Sequence, residues 1–274
     1  MKEVTRDSNE NLVEAAFTAQ AAVFDNIYSH DKMIEYKRGR VRNHIRQFLS
    51  GGNNMLELNC GTGDDAFYFA GLGHNIHATD ISSAMLEKLA QKMLNASLPG
   101  IISIGKCSFT RLDQLKNKGP YDYIYSNFGG LNCTGQLETV LKRLTPLIKP
   151  GGFITLVIIS RFCLWESLLV FKGKFRTAFR RFFSSRGRQA HAEGVNFTCW
   201  YYPPSYILRA MQDEFNLVSL EGLCTIVPPS YIAGFDKKYP KIFAFLCKQE
   251  NKRKKSYPWK YIGDYFIITL RRRC

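Results

Sequence analysis

The sequence predicts an α/β protein: a mostly parallel, seven-stranded sheet with helices on both faces, preceded by helices and interrupted by one insertion. Three observations lead there. Apolar segments of strand length alternate with amphipathic segments of helical length from residue 53 to residue 159. A Gly-bearing turn, Asn59-Cys60-Gly61-Thr62-Gly63, joins the first of these strands to the first helix. An acid, Asp80, closes the second strand. A turn and an acid so placed build a nucleotide-shaped pocket at the carboxyl edge of a parallel sheet.

The elements follow in order. Residues 11–22 are helical in character, with Leu12, Ala16, Ala19 and Val23 spaced for one face. The polar turn Asp-Asn-Ile-Tyr-Ser-His-Asp leads to a second helix at 32–49. Strands are expected at 53–59, 75–79, 101–105, 121–127 and 153–159, and helices at 64–72, 82–95 and 134–146, with Ser82 and Ser83 placed to cap the second of these. Residues 161–202 depart from the alternation and read as an insertion. There Phe171, Phe175, Phe179 and Phe182 recur at steps of four, four and three, and seven basic residues with no acid run from Lys172 to Arg188. This is the pattern of a basic amphipathic helix able to lie on anionic lipid. The leading reading is nevertheless a cap whose Phe face packs on the sheet, with lipid contact second and nucleic acid third. Gly173 weakens the case for one continuous helix. A helix to about residue 215, a strand-like stretch at 216–231, a further helix to about 250, the basic turn 251–255 and a final strand at 264–273 complete the chain.

Composition narrows the class. A chain of 274 residues, 45% apolar and 14% aromatic, buries a substantial core and is not disordered. No apolar run approaches the roughly 18 residues a membrane-spanning helix needs, and the polar, acidic N-terminus does not read as a signal peptide. Eight scattered cysteines without a Cys-x-x-Cys pair fit reduced thiols in a cytoplasmic protein better than disulfides or a zinc site. The five histidines (30, 44, 74, 77 and 191) show no metal-ligand spacing, so no metal is expected. Residues 1–160 carry 17 Lys and Arg against 15 Asp and Glu, a net of +2; residues 161–274 carry 21 against 8, a net of +13. The second half is therefore the part to meet something acidic, and peripheral membrane or anionic-lipid contact is expected through 165–188.

Residues 55–67, with Glu57 ahead of the glycines, resemble the first motif of the class I S-adenosylmethionine-dependent methyltransferases, acid-x-Gly-x-Gly-x-Gly. Asn59 stands where that family has its first glycine, and Asn is the residue after glycine that best tolerates a left-handed backbone. The stretch at 121–127 followed by Gly129 and Gly130 looks like the fourth strand of the family, and 147–152 like the turn before the fifth. The resemblance covers roughly residues 50–160. It implies a Rossmann-like fold whose last strand inserts antiparallel beside the fifth, and S-adenosylmethionine as cofactor. It implies a division into an N-terminal lid (1–50), a cofactor-binding core (51–160), a cap (161–202) and a C-terminal part of the core (203–274). The implied cofactor residues are Glu57, Asn59, Gly61, Gly63, Asp80 (for the ribose), Ile81, Ser108, Phe109, Asn127 and, from the lid, Tyr28. Ser108 stands where the family often has an acid for the adenine amine. Phe24 and Tyr36 are further lid candidates.

The cofactor's methyl is already activated, so positioning the acceptor carries much of the rate. Candidates on the acceptor side are Asn127, Phe128 and Asn132 after the fourth strand, then Arg161, Trp165, Glu166, Tyr201 and Tyr202 flanking the insertion. Arg161 is suited to an anionic group, Glu166 to base catalysis or pairing with Arg161, and the tyrosines to orienting the acceptor; His191 is a lesser candidate. The sequence Ser-Asn-Phe-Gly-Gly-Leu-Asn lacks the Asn/Asp-Pro-Pro-Tyr motif of many base-methylating enzymes, which argues against nucleic acid. A small, hydrophobic or lipid-like metabolite is therefore the leading acceptor. RNA or protein methylation, and a non-methylating use of the cofactor such as cyclisation, are the alternatives.

Overall fold

The strands are β1 (Asn54–Leu58), β2 (Asn75–Asp80), β3 (Ile102–Lys106), β4 (Tyr121–Ser126), β5 (Ile148–Ile159), β6 (Arg188–Ala192), β7 (Val195–Cys199), β8 (Phe215–Leu223) and β9 (Tyr265–Arg272). Those of the main sheet form where Ile, Leu, Val and Tyr are concentrated between Gly-rich or polar turns, whereas β6 and β7 are set by the tight turn between them. The helices are α1 (Arg6–Gln20), α2 (Phe24–Tyr28), α3 (Lys32–Ile45), α4 (Asp64–Gly71), α5 (Ser83–Leu94), α6 (Leu137–Leu144), α7 (Leu164–Ser167), α8 (Phe175–Ala178), α9 (Pro204–Met211), α10 (Phe235–Lys238) and α11 (Pro240–Arg253). These come from a computed structural model, which describes residues 6–28, 31–182, 186–232 and 234–274.

Seven strands form one sheet in the order β3-β2-β1-β4-β5-β9-β8. β1 to β5 are parallel, and β9 runs antiparallel to both β5 and β8. The expected seven-stranded, mostly parallel sheet with its last strand antiparallel beside the fifth is thus the observed one. Strand order reverses beside β1, which lies between β2 and β4. At such a switch point the connections leave in opposite directions and open a crevice at the carboxyl edge.

Both faces of the sheet are covered. On one, Leu137, Val140, Leu141 and Leu144 of α6, spaced three and four apart and fully buried, pack with Ile207 and Met211 of α9. Burying each such side chain contributes about 1.5–3 kcal/mol. On the other, Val41 and Ile45 of α3, Ala66 and Phe69 of α4 and Leu89 of α5 cover Met55, Ile76 and Tyr125. Asp31 caps α3 by accepting from the amides of Met33 and Ile34, and Ser82 caps α5 through the Met85 amide.

A polar seam runs through the buried sheet. Tyr123, Thr155, Thr269 and His44 are joined by hydrogen bonds of 2.5–2.7 Å, and His44 Nδ1 lies 2.9 Å from Glu221 Oε1. Glu221 also meets Arg40 and Lys254. Beside it Glu250 accepts from the amides of Cys224, Thr225, Ile226 and Val227, from Arg40 and from the Tyr36 hydroxyl. One carboxylate thereby shapes the whole loop after β8.

The insertion differs from expectation. Gly173 takes φ +68° and ends the first helical turns, so 171–182 is no continuous helix but a 3₁₀ turn followed by the short α8. The chain then makes the hairpin β6–β7, whose turn residues Glu193 and Gly194 both have positive φ. Phe197 and Cys199 of that hairpin pack on Val13 and Ala16 of α1. The hairpin's signal was present in the sequence as the Glu-Gly pair between Ala192 and Val195. Phe171, Phe175, Phe179 and Phe182 are exposed at 87%, 59%, 45% and 38%, so they do not form a face packed on the sheet. Smaller differences are these: α2 occupies the expected polar turn, the helix expected at 134–146 starts at Leu137, β5 begins at Ile148 inside the expected turn, 32–49 divides into α3 and a 3₁₀ turn, and the strand expected at 216–231 ends at Leu223.

Candidate active site

The turn after β1 is built by its backbone angles. Asn59 has φ +49°, Gly61 +55° and Gly63 +83°, so the chain bends tightly enough for α4 to start at once. Asn59 therefore does what a glycine would do, and its side chain gains two bonds. Its Nδ2 donates to the Asn127 carbonyl at 3.0 Å, and its Oδ1 accepts from Ser126 Oγ at 2.5 Å. Gly63 serves packing: a Cβ there would stand 2.3 Å from Leu89. At Gly61 a Cβ would meet only the Phe24 ring, at 3.4 Å.

Asp80 ends β2 beside this turn. Its Oδ2 accepts from the Gly61 amide at 2.9 Å and its Oδ1 from the Ser82 amide at 2.9 Å. Burial pushes its carboxyl above the usual range, and the hydrogen bonds from Ser82 and Gly61 oppose this. Each oxygen keeps lone pairs for a further donor. Half-buried Ile81 follows it. Glu57 lies across the β1–β4 register from Tyr125, and both Glu57 Oε2 and the Tyr125 hydroxyl are buried without a partner. Burial first, then the charge of Asp65, raises Glu57 well above a normal carboxyl.

After β3, Ser108 caps a 3₁₀ turn by accepting from the Thr110 amide, and Phe109 packs against the core. An acid from another element stands beside position 108. Glu10 of α1 places Oε1 against Ser108 Oγ and 2.6 Å from Thr110 Oγ1. Farther along α1, Thr18 Oγ1 lies 2.9 Å from Ser82 Oγ. Helix α2 is fastened over the turn as well. Asp25 accepts from Thr62 Oγ1 at 2.6 Å and from Lys92 Nζ at 3.0 Å, while Lys92 also reaches Asp64. Sequence reasoning missed Glu10, Asp25, Thr62 and Lys92. Phe24 does lie over the turn, but Tyr36 is directed to Glu250. Tyr28 ends α2, and its side chain falls outside the described residues.

The residues proposed for the acceptor divide. Asn127 is buried, its amide donating to Asp65 and its Oδ1 accepting from the Phe128 amide, so it shapes the end of β4. Phe128 takes φ +52° and presents its half-buried ring at that edge. Asn132 is fully buried and ties Ile159 to Trp200. Glu166 does not pair with Arg161: it is 2% exposed and held by Arg180 and Arg181. Arg181 goes on to Asp264 and to the Ser160 carbonyl, so a buried Glu166–Arg181–Asp264 chain fixes the insertion to the ends of β5 and β9. A carboxylate so engaged is not free to act as a base. Arg161 donates to the Phe182 carbonyl, and Trp165 keeps a buried indole N–H without a partner. Tyr202 is a core residue whose hydroxyl donates to the Thr134 carbonyl at 2.5 Å, whereas Tyr201 stacks on Arg181 at 5.1 Å. His191 lies on the exposed hairpin beside Asn196. No group of three metal-binding side chains occurs among the described residues.

Residues 56–154 match the family model for a methyltransferase domain. Over that stretch the chain is similar to methyltransferase domains. The chain is 26% identical, over 162 residues, to the ubiquinone/menaquinone biosynthesis C-methyltransferase UbiE of Francisella tularensis subsp. novicida, an alignment covering 58% of this chain. The chain spans 64% of that relative's length. Among solved structures, an S-adenosylmethionine-dependent methyltransferase from Methanosarcina mazei superposes with a TM-score of 0.59 at 13% identity, over 84% of this chain and 97% of the other. The 1,6-didemethyltoxoflavin-N1-methyltransferase of Burkholderia thailandensis gives 0.58 at 12% identity, over 100% and 93%. At these identities the likeness shows the fold.

Proposed function

We propose that the chain is an S-adenosylmethionine-dependent methyltransferase for a small, hydrophobic or lipid-like acceptor. The observation that carries the reading is Asp80, fixed by the Gly61 and Ser82 amides at the switch point, with lone pairs left for a ribose diol. The surroundings fit the cofactor. At Gly61 the bare backbone faces only the Phe24 ring, which would border the cofactor's amino-acid part. Ile81 and Phe109 flank the adenine, and Glu10 Oε2 takes over the reading of its amine from the absent acid at 108. Asn59 and Glu57 complete the floor, and Asn127 holds the end of β4 in shape. The cofactor supplies an activated methyl; the chain contributes alignment and exclusion of water by α1 and α2, fastened through Glu10, Thr18 and Asp25.

The acceptor class draws support from the similarity to a ubiquinone/menaquinone biosynthesis C-methyltransferase and from the exposed phenylalanines among basic residues of the insertion. Such a surface suits the headgroup region of an anionic bilayer. No helix among the described residues is long and apolar enough to cross a membrane. The test is calorimetric titration with S-adenosylhomocysteine. Micromolar binding that Asp80→Ala weakens by about tenfold or more supports the reading. Absence of binding removes it.

A further inference from the structure

Helix α3 directs four cations inward: Lys37, Arg38, Arg40 and Arg42. Three find carboxylates. Arg38 meets Asp64 and Asp65 at 3.3 Å, Arg40 meets Glu221 and Glu250 at 3.3 and 3.0 Å, and Arg42 meets Asp65 at 2.6 Å. Lys37 does not. It is 4% exposed, yet no carboxylate among the described residues lies within ion-pair distance of its Nζ. Its ammonium donates to Ser230 Oγ at 3.1 Å and stands 5.7 Å from the Phe128 ring centre and 5.3 Å from that of Tyr265. Two ring faces and one hydroxyl leave an ammonium with three donors short of what water gave it. A cation buried in this way calls for an anion.

Its position says which anion. Phe128 follows β4, and Tyr265 opens β9 opposite Ile159 of β5 and Leu223 of β8. Lys37 therefore sits over the β4-β5-β9 half of the carboxyl edge. Gly61, Asp80 and Ser108, the cofactor residues, occupy the β1-β2-β3 half. The half with Lys37 is where an acceptor must lie, and the rings beside it favour a flat apolar body. We propose that Lys37 binds an anionic oxygen, carboxylate or phenolate, on a flat methyl acceptor seated against Phe128 and Tyr265. The proposal rests on the methyltransferase reading for the word acceptor, though not for the anion site itself.

The test compares benzoate with benzamide, its neutral isostere, by calorimetry on protein saturated with S-adenosylhomocysteine and on protein without it. Benzoate is expected to bind about tenfold or more tightly. Lys37→Met is expected to abolish that preference and Lys37→Arg to keep it, with affinity for S-adenosylhomocysteine unchanged in both. Equal affinities, no binding of benzoate, or a preference that survives in Lys37→Met would each overturn the proposal. The comparison on unmodified protein stands even if a variant does not fold. Should S-adenosylhomocysteine fail to bind while benzoate is still preferred, the methyltransferase reading falls and the anion site remains.

Discussion

Asp80 and Glu10 approach the proposed cofactor site from different elements, a strand end and a helix, and by different means. Asp80 is placed by its own strand and held by two backbone amides, which makes it the residue whose loss is hardest to compensate. Glu10 arrives from a helix 98 residues away from Ser108. If Glu10 reads the adenine amine, S-inosylhomocysteine, which has a carbonyl there, binds the unmodified protein about tenfold more weakly than S-adenosylhomocysteine. Glu10→Gln narrows that gap; a gap of unchanged size in the variant would exclude the role. Asn59 was legible as a stand-in for glycine because tolerance of φ +49° is a property of the residue itself. Its bonds to Ser126 and the Asn127 carbonyl were not legible, since they cross to another strand.

Among the elements, α3 is fastened to the sheet by charge more than its sequence suggests. Burial acts to raise the Glu221 carboxyl, but the hydrogen bond with His44 and the charges of Lys254 and Arg40 overcome it and hold the group down to about 2, against a usual value of 4.5. A folded-state value below the unfolded one contributes stability that is complete above about pH 4.5 and fades as the pH falls toward 2. The depression corresponds to roughly 3 kcal/mol, about 2 kcal/mol of it gone by pH 3. Urea denaturation at pH 6 and pH 3 is therefore expected to show a smaller loss of stability in Glu221→Gln than in the unmodified protein. Equal losses would show that the His44–Glu221 seam does not couple folding to pH. The insertion teaches the reverse lesson about patterns. The spacing of its phenylalanines suggested a helix, but Gly173 and the Glu193-Gly194 turn dominate locally, and tertiary contacts through Arg181 fix the result.

At the scale of the molecule, the charge is one-sided: +13 of the net +15 lies after residue 160. Exposed Phe171 and Phe175 lie in that same half. Cosedimentation with phosphatidylglycerol vesicles at low salt, and little with phosphatidylcholine, is the expected outcome. Replacing Phe171 and Phe175 together by Ser is expected to weaken it by about tenfold or more. Binding to RNA in place of vesicles, with a steep salt dependence, would redirect the acceptor search to nucleic acid.

What the sequence determined by itself is what short-range physics sets. The strand and helix alternation, the turn at 59–63 and Asp80 at the end of β2 depend on periodicity, backbone preference and chain order, all of them written locally; the antiparallel place of the last strand came only from the family resemblance. Only the tertiary structure decided which side chains remain free to act. Glu166, Tyr202 and Asn132 look reactive in sequence yet are engaged in the interior, while Glu10, Asp25 and Lys92 look like surface charges yet close over the cofactor turn. Lys37, one of a run of basic residues on α3, is singled out because its neighbours reach carboxylates and it does not. Such pairings join segments tens to hundreds of residues apart, and no local pattern encodes which charge a fold will leave without a counter-charge.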